Sequence, residues 1–120
     1  MAITTPYSGS PTITTAERSF PNAANLTVPG TPTTPITAAG IYAVFIDVMT
    51  NMVAGDQFEF KVYEKINGGG SLLIYRTTTP SGLQTQQVIF PALILTEGWD
   101  VTAVKISGSD RVIPFSIRRI

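Results

Sequence analysis

The chain has 120 residues, eight basic and eight acidic side chains, and no Cys or His. This length is enough for one domain with one core, while the composition excludes disulfides and thiolate metal ligands and removes histidine, the commonest general base. Because nucleic-acid binding is driven by a surplus of Lys and Arg, the zero net charge argues against nucleic acid as a partner.

The N-terminal third differs in composition from the rest of the chain. Residues 1–39 contain ten Thr and six of the nine Pro, but only two charged residues, Glu17 and Arg18. Such a segment buries too little apolar surface to order itself in solution. We therefore predict an extended Thr/Pro-rich arm that becomes ordered on a partner, although stretches near 12–20 and 26–28 could add short strands. The arm residues expected to contact this partner are Ile3, Tyr7, Ile13, Phe20, Leu26 and Val28.

From Gly40 onward the pattern is that of β-strands. Residues 41–49 are apolar on both faces except for Asp47, which is typical of a central strand covered on both sides. In residues 57–66 apolar and polar side chains alternate, as expected for a half-buried strand. Further strands, bounded by turns rich in Gly, Pro, Asn and Asp, are predicted at 71–79, 85–95, 99–106 and 111–119.

Two prolines lie inside these predicted strands. Pro91 is expected to split 85–95 into two short pieces, because proline cannot donate a hydrogen bond to a neighbouring strand. For the same reason, Pro114 is expected to place 111–119 at a sheet edge or beside a bulge.

Six or seven short strands without any helical periodicity predict an all-β fold. The expected architecture is an antiparallel β-sandwich, jelly-roll-like, over residues 40–120, preceded by the extended arm at 1–39. The residues predicted to fill its core are Phe58, Phe60, Val62, Trp99, Ile113, Phe115 and Ile117.

Candidate catalytic and metal-binding residues are sparse. Asp47 lies on an apolar strand, where a buried carboxylate needs a partner, so we expect an ion pair or a subunit contact. Asp56, Asp100 and Asp110 could bind calcium in loops, but they lack the dense spacing of such a site. Without His or Cys, a catalytic pair would have to be a carboxylate dyad or a Ser–Lys pair. We therefore predict no enzymatic activity, no metal and no cofactor.

The single Trp and the four Tyr could instead form a platform on which sugars stack. Trp99 directly follows a turn glycine, however, which favours a role as an anchor in the core. At the C-terminus, Arg118 and Arg119 are expected at a solvated chain end or in an intersubunit pair.

The chain is poor in charge: only 13% of its residues are charged. A soluble monomer usually carries more charge and a net charge away from zero. We therefore expect self-association, with a closed ring such as a homotrimer favoured. The longest apolar run, residues 88–95, is too short to span a bilayer as a helix, so no membrane partner is expected.

Four segments stand out in combination: residues 55–65 (GDQFEFKVYEK), 91–93 (PAL), 98–102 (GWDVT) and 113–118 (IPFSIR). Together they resemble small proteins of tailed bacteriophages, similar to capsid decoration (cement) proteins, and the resemblance covers residues 40–120. It implies a β-sandwich on the outside of an icosahedral head, often clustered as trimers, with the major capsid protein as partner. The family has no catalytic residues to carry over.

The leading hypothesis is therefore a structural virion protein that binds the outside of a phage capsid and stabilises it. Because the N-terminus shows no signal-peptide features, we expect it in the host cytoplasm before assembly and on the capsid surface afterwards. One alternative is a carbohydrate-binding or receptor-binding β-sandwich module, whose signature would be exposed aromatic side chains. Another is a head-completion or tail structural protein.

Overall fold

The computed structural model describes residues 2–120, and these form eleven β-strands. The strands are β1 (Thr4–Gly9), β2 (Thr12–Ile13), β3 (Arg18–Ser19), β4 (Ala24–Asn25), β5 (Gly40–Ile46), β6 (Gln57–Glu64), β7 (Leu73–Thr78), β8 (Val88–Leu95), β9 (Trp99–Ser107), β10 (Arg111–Val112) and β11 (Phe115–Arg119). No helix occurs in the described range, so the all-β prediction is confirmed.

Two antiparallel sheets form the body of the protein. Sheet 1 has the strand order β1-β11-β5-β8, and sheet 2 has the order β4-β3-β9-β6-β7. A short ribbon of β2 and β10 accompanies them. One cluster of buried apolar side chains contributed by both sheets lies between them, so the fold is the antiparallel β-sandwich that the strand pattern predicts.

The core follows from the alternation of side chains along each strand. Successive side chains point to opposite faces of a sheet, so every second residue of β5, β6, β9 and β11 enters the core. Trp99 and Tyr42 meet there with ring centroids 4.6 Å apart, and the Trp99 indole N–H donates to the Ala38 carbonyl at 3.2 Å. The seven residues predicted for the core are all buried: Phe58, Phe60, Val62, Trp99, Ile113, Phe115 and Ile117.

The two prolines act differently from what the sequence predicts. Pro114 lies between β10 and β11. β11 is nevertheless an inner strand of sheet 1, because it pairs with β5 on one side and with β1 on the other. β8 is an edge strand and runs past Pro91 without a break, since an edge strand tolerates a missing N–H. A register shift against β5 accompanies this proline, and the next residue, Ala92, adopts a positive φ of 53°.

The N-terminal segment does not form an arm separate from the sandwich, contrary to the prediction from composition. β1 pairs with β11 in sheet 1, and β3 pairs with β9 in sheet 2. Ile13 and Phe20 are buried in the core, where the Phe20 ring stacks on the Phe115 ring with centroids 4.3 Å apart. The segment is held in place because its few apolar side chains fill space between the two sheets. A boundary between residues 39 and 40 therefore does not divide the sheets.

Replacing Phe20 by Ala is expected to destabilise the protein by about 3–5 kcal/mol, because it removes a buried ring from the core. The matched control is Val28→Ala, which truncates a residue of the same segment that is 53% exposed. This control should change stability by less than about 0.5 kcal/mol. Urea denaturation measures both variants, and a small loss in Phe20→Ala would mean that the segment lies outside the folded core.

Candidate functional site

The outer face of sheet 1 is apolar. Along β5, Tyr42, Val44 and Ile46 point into the core and are buried. Because side chains alternate along a strand, Ile41 and Phe45 point away from the core. Both outward residues are at least partly exposed, so no other part of the described chain fully covers them.

Neighbouring strands extend this apolar stripe. Ile89 of β8 lies directly opposite Phe45, and Ile94 lies directly opposite Ile41. Directly opposed residues of antiparallel strands share a face and lie about 5 Å apart. We call this surface the isoleucine face, and its members are Ile3, Ile41, Phe45, Ile89, Ile94 and Ile120. The exposed fraction of its isoleucines ranges from 44% to 70%.

Arg118 crosses the middle of the isoleucine face. It lies opposite Ala43 in the sheet, and its guanidinium carbon is 3.8 Å from the centroid of the Phe45 ring. A cation over an aromatic ring is attracted by the electron-rich face of that ring. The surface has a hollow on either side of this stack, one of about 280 Å³ beside Ile3 and one of about 360 Å³ beside Ile89.

One positive charge lies in the middle of the isoleucine face. Arg118 contributes a guanidinium, and no acidic residue lines the smaller hollow. The larger hollow reaches Asp47, whose carboxylate accepts hydrogen bonds from Thr50 Oγ1 at 2.6 Å and from Gln87 Nε2 at 3.0 Å. The Thr50 hydroxyl is the main cause that holds the pKa of Asp47 below its usual range. Asp47 is therefore satisfied by hydrogen bonds within the chain, and the ion pair, one of the two roles expected from the sequence, does not occur among residues 2–120.

The outer face of sheet 2 has a different character, because part of the N-terminal segment covers it. The buried carboxylate of Glu17 accepts hydrogen bonds from Tyr63 Oη at 2.8 Å, Thr102 Oγ1 at 2.5 Å and Gly30 N at 2.8 Å. Burial by itself raises the pKa of Glu17, but these hydrogen bonds and the nearby charge of Lys61 together lower it below its usual value. Glu17 is thus a fully partnered carboxylate that joins the segment to β6 and β9.

A second carboxylate lies under the same cover. Asp100 Oδ1 accepts hydrogen bonds from Ser19 Oγ at 2.6 Å and from Val101 N at 2.8 Å, but Oδ2 has no partner among the described residues. Burial raises the pKa of Asp100 from 3.8 to about 6, and its two hydrogen bonds offset this only in part. The ionised form of this side chain is therefore unfavourable in the folded protein.

The six residues predicted to bind a partner differ in burial and lie in different parts of the fold. Ile13 and Phe20 belong to the core, so their side chains are not available to a partner. Tyr7 is half-buried, with its ring edge-on to the Trp99 ring at a centroid distance of 6.0 Å. Ile3 lies on the isoleucine face. The remaining two are Leu26, which is half-buried, and Val28, which is exposed.

Most of the isoleucine face was not among the predicted site residues. The sequence nevertheless contains a signal for it, since residues 41–49 are apolar on both faces. That pattern predicts a strand covered on both sides. Residues 2–120 cover the inner face of this strand and leave its outer face at least partly exposed.

Other kinds of site find less support. Within residues 2–120, no group of three acidic side chains is placed to hold a metal ion. Asp56 instead accepts a hydrogen bond from Arg111 Nε at 2.8 Å, the main cause that lowers its pKa. Trp99 and Tyr63 are buried, so they cannot serve as a platform for sugars. In the same range no helix is long and apolar enough to cross a membrane.

Comparison with protein-family models, with curated proteins and with solved structures finds no match for this chain. The two outer faces of the sandwich differ in character. Sheet 2 has a polar network covered by a segment of its own chain, and sheet 1 has an apolar face that no segment of residues 2–120 fully covers.

Asp100→Asn is expected to stabilise the protein at neutral pH. Folding raises the pKa of this carboxyl, so the folded state binds more protons than the unfolded state between about pH 4 and 6. The free energy of unfolding of the parent protein therefore falls as the pH rises through this window. The difference in the free energy of unfolding between Asp100→Asn and the parent should grow from near zero at pH 4 to at most about 3 kcal/mol at pH 7.

Urea denaturation at several pH values measures this difference. The control is Asp110→Asn, because Asp110 is a half-exposed aspartate that pairs with Lys105 on the surface. An Asp100→Asn variant that is less stable than the parent at pH 7 would show that the ionised carboxylate is favourable where it lies.

Proposed function

We propose that this protein is a structural virion protein that binds the outside of a phage capsid and stabilises it. The observation that carries the proposal is the isoleucine face, which forms the outer surface of one sheet of the sandwich. The resemblance of residues 40–120 to small capsid decoration proteins supports the same function. The proposed partner is the major capsid protein.

The isoleucine face is unfavourable in contact with water. Complete burial of one Ile side chain contributes about 1.5–3 kcal/mol. Contiguous apolar patches larger than a few hundred Å² are rare on monomeric proteins and usually mark an interaction site. Several exposed isoleucines on adjacent strands therefore favour a surface that is covered in the working assembly. The face of a sheet is broad, which fits the surface of a protein shell better than a small ligand.

Arg118 indicates the chemistry that a partner must offer. Stacked on Phe45, it holds a positive charge in the middle of an apolar surface. A matching surface would be apolar as well and would bring a carboxylate to the guanidinium, because planar Arg–carboxylate pairs combine charge with two parallel hydrogen bonds. A partner with a basic residue at this position would be rejected by repulsion between like charges.

A homotrimer is part of the proposal, because attachment at three points raises avidity without new contacts in each copy. One edge of sheet 2 is β7, where Leu73, Ile74 and Tyr75 are exposed. An exposed apolar edge strand can pair with another chain, and we assign this edge to the contact between subunits. Light scattering should give three times the mass of the chain, and a monomeric mass in solution and on the virion would remove this part of the proposal.

The alternatives have weaker support. A carbohydrate-binding module stacks sugars on exposed aromatic rings, and the burial of Trp99 and Tyr63 counts against it. For an enzyme, the buried Glu17 and Asp56 are poor candidates, because each is already bonded to neighbouring groups of the fold. A head-completion or tail protein could use the same isoleucine face, and its position on the virion would distinguish it from a decoration protein.

Ile94→Asp is expected to weaken binding to the capsid by about 10- to 100-fold or more, because it replaces a buried contact by a charge that must lose its hydration. The measurement is cosedimentation with capsids of the phage that encodes the chain, after this protein has been stripped from them. Melting curves followed by circular dichroism verify that the variant is folded.

The matched control is Ile106→Asp at the end of β9 in sheet 2. The side chain of Ile106 is 51% exposed and that of Ile94 is 64% exposed, so the two substitutions make the same chemical change at similar exposure. The control should bind capsids as the parent does. Unchanged binding of Ile94→Asp would contradict the isoleucine face as the docking surface, and loss of binding in Ile106→Asp alone would assign docking to sheet 2.

A further inference from the structure

A cavity of about 280 Å³ lies beside Arg18, between the end of β1 and the turn that joins β3 to β4. It is separate from the isoleucine face, since the two hollows of that face are formed by other residues except at Phe115. The residues that line it are Ser8, Gly9, Ser10, Pro11, Arg18, Phe20, Ala23 and Phe115.

Arg18 is the unusual residue of this cavity. It pairs with Ala103 in the sheet and therefore lies on the inward side of sheet 2. Its Nε is buried and has no hydrogen-bond partner, and none of the salt bridges found within residues 2–120 includes it. A guanidinium offers five N–H donors, and leaving a buried donor without an acceptor is unfavourable. Arg18 is thus a half-buried cation whose Nε–H donor has no acceptor among the described residues.

The other arginines near the core differ from Arg18 in this respect. Arg111 donates to Asp56 at 2.8 Å, and Arg119 donates to the Ala39 carbonyl at 2.6 Å. Of these three arginines, only Arg18 has a buried donor without an acceptor among the described residues.

The walls of the cavity fit a small anion with an apolar part. No acidic residue lines it, so nothing there would repel a negative charge. Phe20 and Phe115 supply aromatic surface, and the edges of aromatic rings carry partial positive charge. Ser8 and Ser10 add polar groups to the lining. Ala23 holds a left-handed φ of 52°, a strained conformation of the kind that often occurs at binding sites.

We propose that this cavity binds a carboxylate, held by Arg18 through parallel hydrogen bonds with further donors from the segment Ser8–Ser10. A carboxylate matches the planar fork of a guanidinium, and a short aliphatic chain attached to it can pack against the aromatic wall. The carboxylate can belong to a small free acid or to an acidic side chain of another protein. The inference does not depend on the proposed capsid function.

The test is a titration of the ¹⁵N-labelled protein with sodium propionate, at constant ionic strength maintained with sodium chloride. We expect saturable shifts of the Ser8, Ser10 and Arg18 amides and of the Arg18 Nε–H resonance. The melting temperature should rise with propionate along the curve for a single site, because a ligand that binds only the folded state stabilises it. Chloride alone should give no saturable shift.

Three variants separate a specific site from general charge effects. Arg18→Gln should abolish the saturable shifts, and Arg18→Lys should weaken binding because an ammonium lacks the planar fork. Arg76→Gln is the matched control, since Arg76 is an exposed arginine of β7 outside the cavity, and it should bind as the parent does. Should Arg18→Gln fail to fold, the comparison between Arg18→Lys and the parent carries the test.

A second titration, with the blocked tripeptide acetyl-Gly-Glu-Gly-amide, identifies the source of the carboxylate. Saturable shifts with both probes assign the site to acidic side chains as well as free acids, and shifts with propionate alone assign it to small free acids. The proposal is overturned if neither probe gives saturable shifts at the cavity, or if the shifts persist unchanged in both Arg18 variants.

Discussion

A β-sandwich has two outer faces, and the hydrogen bonds of the buried Glu17 decide which of them this chain covers. Its carboxylate joins the N-terminal segment to Tyr63 and Thr102 on sheet 2. The same placement brings Phe20 into the core and lets β1 pair along the edge of sheet 1. A buried carboxylate that loses its partners costs several kcal/mol, so the segment cannot leave sheet 2 without a large loss of stability. No segment of residues 2–120 fully covers the outer face of sheet 1.

Two buried polar atoms of the same region, Arg18 Nε and Asp100 Oδ2, have no hydrogen-bond partner within residues 2–120. Buried polar groups are nearly always hydrogen-bonded, so each exception needs a physical reason. Arg18 and Asp100 lie on opposite faces of sheet 2, as the pairing of Arg18 with Ala103 and the bond from Ser19 to Asp100 show. The proposed carboxylate would satisfy Arg18. Asp100 has no such explanation beyond its raised pKa, which makes the stability of the fold sensitive to pH.

The strands could be predicted from the sequence because alternation and turn residues are local signals. Residues 57–66 give β6 almost as the pattern predicts. That the N-terminal segment packs onto the sandwich could not be predicted from its mean composition. The packing depends on single contacts with residues far away in the sequence, such as that of Glu17 with Thr102. The apolar outer face of β5 was visible in the pattern of 41–49. The local sequence does not show whether the outer face of β5 is covered by the same chain or by another molecule.

Hydroxyl-radical footprinting of side chains, on the free protein and on the intact virion, measures most directly whether a partner covers the isoleucine face. We predict that Ile41, Ile94 and Ile120 react in the free protein and become protected on the virion, while Ile106 reacts equally in both states. Unchanged reactivity of the three isoleucines on the virion, or protection confined to β7, would contradict the assignment of this face to the capsid.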